Sequence, residues 1–494
     1  MGKDIEQDTF SQADYERFNQ KIRDNLKAVN QLLVTPGFGI GETTLGAELE
    51  FYLVDPQGNP SPCNQRLLKA ANLPQLTPEL NRFNLEYNLS PQPFKGAPFA
   101  AFEHELLNAI QHVNQLAQQY QTELVPIGIL PTLTIDHFGP QMMTDLPRYR
   151  AMDNALRTLR GGPFKINIDG NPPLDLTWND VTLEGANTSF QLHWRVTPQQ
   201  FSNAFNAVQL VTPVVLGLAA NSPYLFGHEL WEETRIALFK QSIDCRDSDH
   251  AKYPARVYFG NGWIRQGAEE LFASTVALFP PIMPVVSDED PLAKIAGQEL
   301  PHLHELQLHQ GSTWPWNRVI YDHHNDGHIR IEMRALPAGP SLEDMSANSA
   351  FLLGSAMALQ DSMPQRINLL PFKYAEHNFY RAAQLGLDTS LLWPSSSQVR
   401  VVEYDLLKLA RRLLPLARDS LLEAGLETAE CQRMIENIQQ RIDMKVNGAR
   451  WQKNITRQFR QQGCSQQDAL SSMFQRYRQH FYSGKSISQW DTQL

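Results

Sequence analysis

The chain has 494 residues and a formal net charge of −10, which argues against nucleic acid as its main partner, because binding phosphates needs a basic surface. Hydrophobic residues at 42% and charged residues at 19% allow a sizeable core and argue against wholesale disorder. The cysteines Cys63, Cys245, Cys431 and Cys464 form no C-x-x-C pair, so neither a zinc site nor a disulfide framework is signalled, and reduced thiols in a cytoplasm are the simplest expectation.

The polar, acidic start of the chain contains no signal-peptide core. Helical spacing follows over 10–33, with Phe18, Ile22, Leu26, Val29 and Leu33 on one stripe. Next comes a strand-like run over 44–54 that carries Glu48 and Glu50 among apolar residues, broken by Asp55-Pro56-Gln57-Gly58-Asn59-Pro60. A second strand is expected over 82–91, with Glu86 in it and Glu79 in the loop before it, then a helix over 99–119 and a strand over 124–130. Helix is expected again over 147–160, and strand periodicity returns over 188–196 with Gln191 and His193. The helix expected over 198–220 contains the most apolar stretch, 207–220; Pro213 interrupts it and it falls short of the ~20 residues a membrane span requires, so it reads as buried and no membrane is implied. Loop with mixed helix covers 221–310, and the last strand, 328–336, carries Glu332 and Arg334. From Leu342 onward the pattern is helical, most strongly after Val401. Neither G-x-G-x-x-G nor a P-loop stands in a plausible place, which argues against a doubly wound nucleotide fold.

Residues i and i+2 of a strand share one face, so Glu48 with Glu50, Gln191 with His193 and Glu332 with Arg334 each point one way. Any one pair would be unremarked on a solvated strand. Together they describe a sheet face with about five carboxylates, which cannot be buried at neutral pH without compensating cations. Hard oxygen donors with few thiolates select Mg²⁺ or Mn²⁺ over zinc.

The run Gly46-Ala47-Glu48-Leu49-Glu50-Phe51, Leu85-Glu86-Tyr87 with Glu79 upstream, Arg148-Tyr149-Arg150-Ala151-Met152 and Ala220-Asn221-Ser222-Pro223-Tyr224 resemble the glutamate–cysteine ligase type 2 family and its carboxylate–amine ligase relatives. So do Trp316-Asn317-Arg318-Val319-Ile320-Tyr321-Asp322 and the run Ile331 to Pro340, while Asn447-Gly448-Ala449-Arg450-Trp451-Gln452 resembles the long bacterial branch. Single motifs are weak, but their shared order is specific.

The resemblance implies an α+β, glutamine-synthetase-like fold: a curved, largely antiparallel sheet flanked by helices, followed by a C-terminal helical region. The expected division is a helical segment over 1–43, the catalytic domain over 44–395 and a helical extension over 396–494. Implied cofactors are ATP and Mg²⁺ or Mn²⁺, and the substrates are glutamate and an amine such as cysteine; whether copies of the chain assemble stays open. The implied metal positions are Glu48, Glu50, Glu79, Glu86 and Glu332, with Gln191 where the family varies between histidine and glutamine, and His193 beside it. Arg318 and Arg334 fall where arginines face phosphate or substrate carboxylate, and Arg235 does so with a weaker alignment. Arg334 is expected to face phosphate and not to pair with Glu332.

A carboxylate needs activation before an amine attacks it, and ATP supplies it as an acyl phosphate, with the protein positioning groups and neutralising charge. The expected activity is therefore ATP-dependent amide formation, with a ligase for another acid or amine, a two-metal hydrolase, or a binding protein without turnover as alternatives. The acceptor amine and the general base are not legible.

Overall fold

In a computed structural model that describes residues 5–246, 254–395 and 399–494, the strand with the paired glutamates is the axis of one eight-stranded sheet. Its strands are β1 (Thr44–Val54), β2 (Leu76–Pro78), β3 (Asn84–Asn88), β4 (Gln92–Pro93), β5 (Glu123–Val125), β6 (Phe190–Val196), β7 (Asn317–Asp322) and β8 (His328–Met333). The order is β7-β8-β6-β1-β3-β2, with β4 and β5 each pairing with β1, and every pairing is antiparallel. Along β1 the alternation works as expected, with Ala47, Leu49, Phe51 and Leu53 buried on one face and Glu48, Glu50 and Tyr52 turned to the other.

Helices close the apolar side. The first, α1 (Gln12–Val34), buries Phe18, Ile22, Val29 and Leu33 along the expected stripe. The helix α2 (Phe201–Ala219) is buried almost throughout, and it is the one described helix long and apolar enough to cross a membrane. Its Gln209 Oε1 accepts from Asn317 Nδ2 at 2.6 Å, which ties the helix to the start of β7. After β8 comes the buried helix α3 (Leu342–Gln360), whose first turn is capped by the Ser341 hydroxyl. The last four α-helices of the described residues are α4 (Leu406–Glu423), α5 (Thr428–Met444), α6 (Gly448–Gln461) and α7 (Gln466–Tyr482).

These last helices reach the floor of the sheet domain. Tyr477 of α7 is fully buried; its hydroxyl accepts from Asn221 Nδ2 at 2.9 Å and donates to the Pro126 carbonyl at 2.9 Å. Gln452 of α6 donates to the carbonyl and side-chain oxygens of the same Asn221, at 3.1 and 2.9 Å.

Three sequence expectations change. The strand expected over 124–130 pairs only over Glu123–Val125, because Pro126 has no N–H for the ladder. Hairpins form at 164–168 with 174–178, a stretch for which no element was expected, and at 390–395 with 400–405, inside the stretch expected to be helical. In the second, alternate residues Leu391 and Trp393 are buried, a period of two too short to outweigh its helical surroundings in sequence. The boundary expected at 395/396 runs through that hairpin.

Candidate active site

Strand register brings the acidic pairs together. Glu48 stands opposite Gln191, Glu50 opposite Glu86, and Glu332 opposite His193. With Glu79 from the loop after β2, Glu48, Glu50, Glu86 and Gln191 border a cleft of about 380 Å³ that Arg148, Arg318 and Arg334 also line, while Glu332 and His193 do not line it. Ligand atoms of Glu50, Glu79 and Glu86 all lie within 4.8 Å of one another, and so do those of Glu48, His193 and Glu332.

The two triads differ in what compensates them. Glu332 is fully buried and receives Arg318 through Nε at 2.5 Å and Nη2 at 2.9 Å, while Arg318 Nη1 also donates to the Gln310 carbonyl at 3.1 Å. Arg334 Nη1 donates to the same carboxylate at 3.1 Å and to the side-chain oxygen of Gln191. Burial would raise Glu332, yet Arg318 first and then Arg334 hold it well below the usual carboxylate range. Arg334 therefore does pair with Glu332, contrary to expectation, because a fully buried carboxylate requires countercharge; it still lines the cleft.

Neighbours occupy both nitrogens of His193. Arg330 Nε, which can only donate, reaches Nδ1 at 3.1 Å, so Nδ1 is the acceptor and Nε2 carries the proton toward Glu48 Oε1 at 3.0 Å. In this arrangement His193 orients Glu48, and its ring nitrogen still lies within 4.8 Å of the Glu48 and Glu332 ligand atoms. Gln191 is committed too, with its amide nitrogen donating to Glu50 at 2.9 Å and its oxygen accepting from Arg334.

The other triad carries more negative charge than its neighbours offset. Glu50 accepts from the Ser189 N–H at 2.7 Å, and Glu86 from Thr77 Oγ1 at 3.1 Å and Asn88 Nδ2 at 3.0 Å. Burial and then the Glu86 charge push Glu50 up to about 8, against the pull of Arg334 and Arg235. Burial and then Glu50 push Glu79 up to about 7, and burial with Glu48 and Glu79 pushes Glu86 up to about 8. An all-carboxylate donor set held this close, and short of countercharge, suits a hard divalent cation that displaces the protons.

Arg235 is buried beside Glu50 and Arg334. It is 1% exposed, its Nε is 3.1 Å from Glu233, and its Nη2 donates to the Ala335 and Leu336 carbonyls at 3.2 and 3.1 Å. It braces the chain leaving β8 and, though it does not line the 380 Å³ cleft, it borders a pocket of about 30 Å³ together with Glu50, Glu184 and Arg334.

Three residues at or beside the cleft lie outside the candidate list. Glu184, on a 3₁₀ turn (Thr182–Ala186), lines the cleft and is pushed up to about 8 by burial and Glu79; Tyr52 donates from its hydroxyl to the Ala186 carbonyl of that turn at 2.5 Å. Loop position gave Glu184 no periodicity to read. Arg148 belongs to a quoted motif, and Arg330 lies on the same i, i+2 face as Glu332 and Arg334, so both left a signal.

The family model of glutamate–cysteine ligase family 2 matches residues 44–471. Among solved structures, the fold is similar to a glutamate–cysteine ligase from Francisella tularensis in complex with AMP, at 12% identity over 90% of each chain and a TM-score of 0.56. It also matches a bifunctional glutathione synthetase from Pasteurella multocida at 12% identity and a TM-score of 0.49, over 94% of this chain and 55% of that one. No curated protein sequence matches. The first of these likenesses supports the glutamine-synthetase-like architecture that the sheet displays.

Proposed function

The chain belongs to glutamate–cysteine ligase family 2, a family of amide-forming ligases, and from that premise we propose an ATP- and Mg²⁺-dependent ligase that joins the γ-carboxylate of glutamate to the amine of cysteine through γ-glutamyl phosphate. The observation that carries this reading is the triad of Glu50, Glu79 and buried Glu86, set in a cleft shared with Arg148, Arg318 and Arg334. Bound Mg²⁺ would supply charge neutralisation for ATP and for the transferring phosphoryl group.

Within the protein, Glu50, Glu79 and Glu86 are the proposed ligands, joined by Glu48 on the same face. Gln191 fixes the Glu50 carboxylate and His193 the Glu48 carboxylate, each by one hydrogen bond. Arg334 and Arg318 are anchored through Glu332 at the cleft wall, where cationic groups oriented in advance stabilise charge that develops on phosphoryl oxygens. The AMP of the Francisella structure supports a nucleotide as the second substrate.

Hydroxylamine tests the reaction without assuming the acceptor. With ATP, Mg²⁺ and glutamate, this undemanding nucleophile is expected to intercept the acyl phosphate and give γ-glutamyl hydroxamate. Hydroxamate from another acid but not from glutamate would keep the ligase and discard glutamate; none from any acid would reject acyl-phosphate chemistry. Cysteine as acceptor is checked by ATP turnover across amino acids and amines, and a faster turnover with another amine would replace it.

A further inference from the structure

The turn joining β7 to β8 gathers ligand side chains outside the cleft. Pairing ends at Asp322 with His328, four residues along β7 from Arg318, or ~13 Å at strand rise. The reversal is closed by Asn325, Asp326 and Gly327 at φ 50, 63 and 74°, three successive left-handed residues that define the turn.

On this turn, one nitrogen each of His323 and His324 and one oxygen of Asp322 lie within 4.8 Å of one another. Among the described residues, it is the only such group of potential ligands outside the cleft region. Asp322 Oδ1 is 2.8 Å from His324 Nδ1 and accepts the His324 backbone N–H at 3.0 Å. Its other oxygen is held by Arg330 Nη1 at 2.6 Å. The His323 ring is 4.0 Å from that of His324 and 4.3 Å from that of His302, whose own Nδ1 is 2.8 Å from Glu289 Oε2. Three imidazoles thus stand in a row with a carboxylate at each end.

Imidazole and carboxylate donors suit zinc-class ions, unlike the all-oxygen set of the cleft. A tetrahedral ion with bonds of ~2.0–2.1 Å places its ligands about 3.4 Å apart, which rotation of half-exposed side chains can reach. The ion would replace the proton shared by Asp322 and His324. Arg330 on the far oxygen leaves Asp322 Oδ1 as the ligand atom and fixes its direction, as carboxylates around metals commonly are fixed.

We propose that Asp322, His323 and His324 form a transition-metal site of zinc class on the β7–β8 turn, with His302 buttressing His323. The site does not depend on the ligase reading.

The test titrates the full chain, in excess Mg²⁺, with Co²⁺, following the visible absorption of the bound ion and its displacement by Zn²⁺. The expected result is one equivalent of Co²⁺ bound with a Kd below about 100 μM. His323→Gln and His324→Gln should each weaken it at least about tenfold with circular dichroism unchanged. Glu50→Gln, which disrupts the cleft triad, should leave it intact. Binding weaker than that limit, a signal that survives in the His323→Gln/His324→Gln double variant, or a signal lost in Glu50→Gln overturns the proposal. Loss of ligase activity in Glu50→Gln reports on the cleft alone, so the two readings fail separately.

Discussion

Two triads share one sheet face, and they solve the burial of charge in opposite ways. Glu332, beside Glu48 and His193, is met by Arg318 and Arg334 and stays ionised. Glu50 and Glu86 accept hydrogen bonds from neutral donors, and Glu50, Glu79 and Glu86 are pushed up toward 7 or 8 although Arg148, Arg235 and Arg334 pull against the shift. Where the protein supplies enough cationic charge, the carboxylate belongs to the scaffold; where it supplies too little, the carboxylates are stable as ions only with a cation from solution.

The same Glu→Gln change should therefore act with opposite signs on stability. Glu50→Gln is expected to lower turnover at least about a thousandfold, roughly 4 kcal/mol of transition-state stabilisation, and to abolish stabilisation by Mg²⁺. The metal-free variant should be no less stable than the parent at pH 8. Glu332→Gln leaves two buried guanidinium groups facing a neutral amide and should destabilise the fold by about 3–5 kcal/mol in urea melts. Equal stability losses in the two variants would remove the distinction.

Arg334→Lys should reduce kcat/KM at least about tenfold, near 1.4 kcal/mol, since one ammonium cannot reproduce a planar guanidinium shared by Gln191 and Glu332. Activity near that of the parent would take Arg334 out of the site.

Acidity sharpens the comparison further. Glu50, Glu86 and Glu184 titrate near 8 and Glu79 near 7 when folded, against an ordinary value of 4.5. Their raised values contribute stability that is fully present below pH 4.5 and lost as pH rises to 8, so the Tm of metal-free protein should fall over that window. Saturating Mg²⁺ should flatten the fall. Glu332 has the reverse slope, its contribution being lost as pH falls below the ordinary 4.5. A flat metal-free Tm between pH 5 and 8 would contradict the uncompensated triad.

The smallest effect is expected from the cysteines. None lines the cleft, and Cys63 and Cys431 are buried in the core, so a variant with all four changed to Ser or Ala should keep its turnover if it folds. Loss of activity from one fold-preserving Cys→Ala change would call for a thiol in the chemistry.

Period-two patterning made the face legible: Glu48, Glu50, Glu86, Gln191 and Glu332 converge because strand geometry leaves them no other direction. Pairing partners were not legible, because they depend on register between strands nearly 300 residues apart in sequence, as with Glu48 near His193 and Glu332. Hence the pairing of Arg334 with Glu332 was not legible. Glu184 had no pattern to read, since a 3₁₀ turn between two strands carries no apolar period. The hairpin at 390–405 was hidden by helices on both sides that dominate any window longer than its six-residue strands.

Tyr477 and Gln452 hold Asn221 across sequence separations of 256 and 231 residues. At a ribosome adding ~5–20 residues per second, about 10–50 s pass between the synthesis of Asn221 and that of Tyr477. Every strand of the catalytic sheet is made before α7 exists, so the bridge that Tyr477 makes between Pro126 and Asn221 is added last. Such distant contacts make for slow closure, with apolar surface uncovered in the interval. A nascent chain stalled after α5 should thus be a chaperone substrate, and the yield of folded protein should follow the pace of translation through α6 and α7.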